Sequence, residues 1–342
     1  MPVDPDGPTD ITLFTDLGAD SPAAAPVNQM KILTSEELRV LGQRSNGKGV
    51  KRLVVHLSIM ICSGIGYGLL ILRTPTGARW SSCLAGIPLM VLLGVSFATM
   101  FACMHECLHR TAFRSVVLND SVAWFAGLLS FYNSALFRYS HGWHHRFTQV
   151  PGLDPELEAP KPSSMREYWM EISGVEWWSS KMREQRHVLL GDLSKYPYVP
   201  LRARNNVIRS GRAQLFVYLL LMIGSVLLMA ARIVSLPVFV MFWLLPLIVG
   251  QPFLRVILLA DHTACTLDTN ALTNTRTTYT LTLIRVLMWE MPFHAEHHRY
   301  PGIPFHALAR VHDRLKPYLG HVMSAGFIGA HRVIVSRFSK AD

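Results

Sequence analysis

Four long apolar runs limit what this chain can fold into. Residues 53–72 carry His56 as their one ionisable group besides a cysteine and a tyrosine, and residues 87–104 carry none beyond Cys103. Residues 213–231 and 237–260 repeat the pattern, the last run being interrupted by Pro246 and Pro252 and holding one arginine, Arg255. Each is about the ~20 residues a helix needs to cross a hydrocarbon core of ~30 Å. In that solvent every backbone N–H and C=O must be satisfied inside the segment, which selects helices. Only 16% of residues are charged and 50% are apolar, against roughly a quarter charged in soluble domains. The expected fold is an all-α integral membrane protein with four transmembrane helices in two hairpins.

Charge near the runs predicts their orientation, because lysine and arginine beside a span favour the cytoplasmic side. Lys48, Lys51 and Arg52 precede the first run and Arg202, Arg204, Arg209 and Arg212 the third, whereas the hairpin tips carry Arg73 and Arg79, and Arg232. Residues 105–212 and 261–342 are therefore expected to form a cytoplasmic helical cap. Within it, 121–137 reads as a short interfacial helix and 161–211 as helices resting on headgroups near Trp169, Trp177 and Trp178. Residues 1–47 read as a flexible tail before one domain over 48–342; the first thirty are rich in Asp, Pro and Ala and do not form a secretory signal. The net charge of +10 fits this topology and an anionic lipid surface; no motif suggests nucleic acid. Five cysteines without a Cys-x-x-Cys pair offer neither a disulfide framework nor a thiolate metal site.

Histidines cluster where the apolar runs meet the cap. His105 and His109 form His-x3-His; His141, His144 and His145, and again His294, His297 and His298, form His-x2-His-His. Residues three and four apart share a helix face, and imidazole is the commonest side-chain ligand of transition metals. Eight such groups exceed the three or four that one zinc takes from a protein, so two ions are implied, with iron, copper and zinc all compatible. Glu106, Asp154, Asp261 and Glu296 lie beside the clusters and are candidates to fix the tautomers of ligating imidazoles. Arg255, inside the fourth run, is a candidate substrate contact, since an ionisable group within a span tends to face a cavity or a partner. A metal transporter would place ligands near the bilayer midplane, which these span-end clusters do not. His105-Glu106-Cys107-Leu108-His109 also fits His-Glu-x-x-His, so a membrane zinc protease with Glu106 as base is an alternative. It leaves both His-x2-His-His clusters unexplained.

Over roughly 53–312 the chain resembles the membrane fatty acid desaturase and hydroxylase superfamily, whose signature is these three boxes in this order. Thr111-Ala-Phe-Arg, Thr148 to Glu156, Asn274-Thr-Arg-Thr and Pro304-Phe-His flank the boxes as they do in that family. The resemblance implies a non-haem pair of iron ions, oxygen as oxidant, and His262 as a ninth ligand. It implies desaturation or hydroxylation of an unactivated C–H bond in a fatty acyl or other lipid-like substrate, with a non-lipid secondary metabolite as the alternative. Electrons are expected from a separate cytochrome b5, ferredoxin or similar donor, as no His-Pro-Gly-Gly motif is present. The setting would be the endoplasmic reticulum or a bacterial cytoplasmic membrane, with the site on the cytoplasmic side. Glu290 and Asp261 stand where close relatives frequently have asparagine and glutamate.

Overall fold

A computed structural model describes residues 31–72, 79–158 and 160–338. The helices are α1 (Ser35–Leu41), α2 (Asn46–Leu72), α3 (Arg79–Leu108), α4 (Val116–Ser130), α5 (Ser134–Phe147), α6 (Met165–Ser173), α7 (Val175–Leu190), α8 (Leu201–Ala230), α9 (Leu245–His262), α10 (Thr282–Leu287), α11 (His294–Arg299), α12 (Leu308–Leu315) and α13 (Gly326–Val335). Among the described residues the only strands are β1 (Thr277–Thr278) and β2 (Val322–Met323), paired in parallel. Four helical segments are long and apolar enough to cross a membrane: Asn46–Ile71, Leu84–Leu108, Leu201–Ala230 and Val240–His262. They outrun the apolar stretches of the sequence. α3 continues through the first histidine box, and α8 begins with three polar turns, because helical hydrogen bonding does not stop where hydrophobicity does.

The four are not equivalent. In its most apolar window 61% of the Leu84–Leu108 helix is buried, against 11% for Leu201–Ala230, so α3 is the central post and α8 an outer one. Met100, Ala102, Cys103 and Met104 of α3 are fully buried against a core that includes Ala123 and Ala126 of α4 and Leu247 and Leu254 of α9. Ile61, Ile65 and Leu69 on α2, with Phe216, Leu220 and Leu227 on α8, stay exposed, as an apolar solvent permits.

Two glycines let α3 and α9 touch backbone to backbone. A Cβ on Gly94 would lie 2.0 Å from the Pro246 carbonyl oxygen, and one on Gly250 would lie 2.0 Å from that of Gly94. Small residues that allow such approach are the usual means of joining helices in lipid. Before α9 the chain makes a π turn over Val240–Leu244, just ahead of Pro246, which has no N–H to give to the preceding turn.

The short helix over 121–137 is in fact two. α4 stops at Phe131, which takes a left-handed conformation with φ 64°, and Asn133 caps α5 by accepting from the backbone N–H groups of Ala135 and Leu136. A helix end in apolar surroundings needs partners for its last carbonyls. Tyr218 of α8 donates to Leu128 O at 2.5 Å and Trp243 Nε1 to Leu129 O at 3.0 Å, so the outer spans close the end of α4. Of the expected tail, residues 1–30 lie outside the described residues. Residues 31–47 are built into the fold: Thr34 and Glu37 form a capping box on α1, and Leu33 and Leu41 are buried with Phe293, Ile303 and Leu308.

Gly94→Ala should therefore destabilise the protein by about 1–3 kcal/mol, seen as a lower Tm in detergent. Gly224→Ala on α8, where a Cβ meets nothing within 4 Å, should not lower it. Equal effects would contradict the close α3–α9 contact.

Candidate metal centre

The boxes converge because four helices meet at one place. α3 delivers His105 in its last turn and His109 just past it, α5 delivers His141, His144 and His145, and α11 delivers His294, His297 and His298; α9 ends on His262. All nine are buried except His145, which is part-buried. Consecutive residues on a helix point ~100° apart, so the paired histidines of the second and third boxes divide between two groups. His105, His109, His141, His145 and His297 form one; His144, His262 and His298 form the other. His294 joins the second group, its Nε2 lying 3.1 Å from Nε2 of both His262 and His298. The His145 and His298 rings stack at 4.2 Å between the groups.

Within the first group Nε2 atoms lie 3.0 Å apart for His109 and His141, 2.9 Å for His141 and His145, and 3.1 Å for His145 and His297. Nitrogens bound at right angles about 2.1 Å from one centre would be about 3.0 Å apart. Nε2 of His105 and of His144 are buried with no hydrogen-bond partner. Burial holds the imidazoles of His141, His145, His294 and His298 well below the usual histidine range, and that of His297 near about 3. Burial also disfavours charge on His144, but Glu156 and Asp154 outweigh it and raise its pKa. Most of these rings are thus neutral near neutral pH, with lone pairs available. The donor set fits two transition-metal ions that favour imidazole.

The far nitrogens of several rings are held. His144 Nδ1 lies 2.8 Å from Asp154 Oδ1, and Asp154 is fixed by the backbone N–H groups of Gln149 and Glu156. His262 Nδ1 faces the Asn274 carbonyl at 3.2 Å, and His298 Nδ1 lies 3.3 Å from Thr148 Oγ1. Asn274 Nδ2 in turn donates to Thr148 O at 3.3 Å, while Arg276 donates to the Ala260 and Thr263 carbonyls at the end of α9. The two strings that flank the boxes therefore brace them.

Of the four acids expected beside the ligands, Asp154 alone pairs closely with a box histidine. Glu106 Oε1 accepts from Thr111 Oγ1 at 2.6 Å and from the Phe305 N–H at 2.9 Å, tying the first box to the chain after the third. Glu296 meets His312 Nδ1 at 2.5 Å and Thr277 Oγ1 at 2.6 Å, and His312 continues to Tyr279. His312, outside the three boxes, is thus part of the brace under α11. Asp261 Oδ2 lies 4.0 Å from His294 Nε2, and its Oδ1 is buried without a partner. Glu290 points elsewhere, bridging Arg52 at 2.9 Å and Arg285 at 2.7 Å.

Beside the groups lies a cavity of about 280 Å³ lined by Phe101, Phe137, Leu258, Met291, Tyr132 and Arg255, together with His105, His141, His262 and His294. Tyr132, Trp177 and Lys181 had no signal in the sequence that marked them as part of it.

The site is a buried cluster of imidazoles able to hold metal, at the ends of apolar helices long enough to cross a membrane. The fatty acid desaturase family profile matches residues 81–325, and the chain belongs to that family. It is accordingly an enzyme of the oxygen-dependent oxidoreductase kind. Comparison with curated proteins gave no match.

Asp154→Asn should lower metal affinity or activity by roughly 10–100-fold, measured by chelator competition on purified protein. Unchanged retention would remove Asp154 as the residue that orients His144. Wild-type protein should hold about two ions per chain and His298→Ala nearer one, by elemental analysis; two ions retained would contradict the second group.

Proposed function

We propose that this chain is a membrane-bound diiron oxidoreductase that uses O2 to desaturate or hydroxylate an unactivated C–H position. The observation that carries this reading is the pair of adjacent imidazole groups, five and four strong, opening onto one cavity walled by both apolar and charged side chains. His105, His109, His141, His145 and His297 would hold one iron, and His144, His262, His294 and His298 the other. Iron held there supplies, with oxygen and electrons from an external donor such as cytochrome b5 or ferredoxin, the oxidising power to break such a bond.

The chain's own work is positioning. Phe101, Phe137, Leu258 and Met291 line the cavity and keep water from the reacting carbon, which prevents side reactions. Asp154, the Asn274 carbonyl and Thr148 hold rings in place, so that ligand geometry survives turnover. The basic ends of α2 and α8 support a cytoplasmic site, with α2–α3 and α8–α9 as the two hairpins.

The His-Glu-x-x-His protease reading fares poorly. A protease base must reach a metal-bound water, but both contacts of Glu106 are to Thr111 and Phe305, and it does not line the cavity.

Product formation should stop without oxygen and without a reductant. Glu106→Gln keeps an oxygen that can accept from Thr111 and Phe305, so oxidation should fall by less than about tenfold, by mass spectrometry of extracts. Turnover undiminished under strict anaerobiosis would refute the oxidase.

A further inference from the structure

The cavity beside the histidines has a charged end that a hydrocarbon does not need. We propose that it binds the carboxylate of a compact acid substrate through Arg255 and Tyr132, leaving the carbon to be oxidised at the histidine end. The oxidation rests on the function proposed above; the binding does not.

Arg255 stands on α9 about seven residues, and so ~10 Å, before His262. It is only 9% exposed and lines the cavity. Its Nη2 donates to Tyr132 Oη at 3.0 Å, and its guanidinium lies 5.6 Å from the Trp177 ring centre. Its Nε is buried with no acceptor, and among the described residues no carboxylate lies within 4.0 Å of it. A buried cation without an anion is costly and is retained where a ligand completes it.

Tyr132 adds a second donor. Its oxygen accepts from both Arg255 and, at 2.9 Å, Trp177 Nε1, so its own proton remains to be given. Lys181 lies 4.3 Å over the Tyr132 ring and adds positive potential, although Glu184 pairs with it at 2.6 Å. One turn before Arg255 on the same face, Gln251 is fully buried with neither amide atom partnered.

The acids that share the cavity sit mainly at the other end. Glu156 lies 3.9 Å from His141 and 3.7 Å from His144, and Asp261 lies 4.0 Å from His294. Glu171 and Lys161, both part-exposed, add opposite charges to the wall. Arg255 and the Tyr132 hydroxyl thus offer an anion a charged donor and a neutral one at their end of the cavity. At about 280 Å³ the space lies just below the ~300–1,000 Å³ typical of ligand pockets, which suits a short acid better than a long acyl chain. A planar guanidinium matches a carboxylate, and would also take a lipid phosphate.

The test uses iron-loaded protein in phosphatidylcholine nanodiscs, with hexanoate, methyl hexanoate and hexanol as probes. Binding is read by calorimetry and by Tm. Hexanoate should bind at least about tenfold more tightly than the ester or the alcohol. Arg255→Met should remove that preference with iron content unchanged, and Arg255→Lys should keep part of it. Equal binding of the three probes to wild-type protein would overturn the proposal, and this comparison needs no variant. So would Arg255-dependent stabilisation by phosphatidylglycerol nanodiscs without any by hexanoate, which would assign the site to a headgroup. Arg255-dependent hexanoate binding in protein with no oxygen-dependent turnover would leave this inference standing and refute the oxidase. Turnover of neutral lipid without acid preference would do the reverse.

Discussion

Crowded neutral imidazoles are the constraint on which the structure depends. A neutral ring carries one N–H, yet Nε2 of His141 faces Nε2 of His109 and of His145 within 3.0 Å, and Nε2 of His294 faces two others at 3.1 Å. No choice of tautomers turns every contact in these rows into a good hydrogen bond without taking protons from the Nδ1 side. A cation at the focus of each group resolves the conflict, because it accepts all the lone pairs together. The rings must then be buried, uncharged and aimed, which explains why so much of the surrounding hydrogen bonding ends on them or on the helices that carry them.

Support for the site reaches far along the chain. The Gly94–Gly250 contact sets how closely α3 and α9 run, and therefore where His105, His109 and His262 emerge. Tyr218 and Trp243 close α4 so that α5 can restart at Asn133 and present the second box. Under α11, the series Thr277, Glu296, His312 and Tyr279 joins the third box to the short pairing of β1 and β2. Each is a backbone or buried side-chain contact, of the kind that loses function through displacement rather than through missing chemistry.

Much of this was readable in the sequence for a physical reason: ligand spacing on a helix is local. His-x3-His and His-x2-His-His state which rings share a face, and apolar length states which helices can span. The division of rings between two groups was also latent in the paired histidines. Partners across space were not. Glu106 points ~100° around the helix from His105, and Glu296 ~100° or more from its box histidines, whereas Asp154, in the loop after α5, folds back onto His144. The packed α1 was hidden because Leu33 and Leu41 sit in a stretch whose composition resembles a tail. Arg255 was marked by its place within a span, but its neighbours Tyr132 and Trp177 were hidden because they come from segments far from it in sequence.

The proposed function requires two ions in two separate imidazole groups. Anomalous diffraction at the iron edge from iron-loaded crystals tests it most directly. Two peaks are predicted, one within bonding distance of Nε2 of His105, His109, His141, His145 and His297, the other of His144, His262, His294 and His298. A single peak, or iron bound away from these nitrogens, would contradict it.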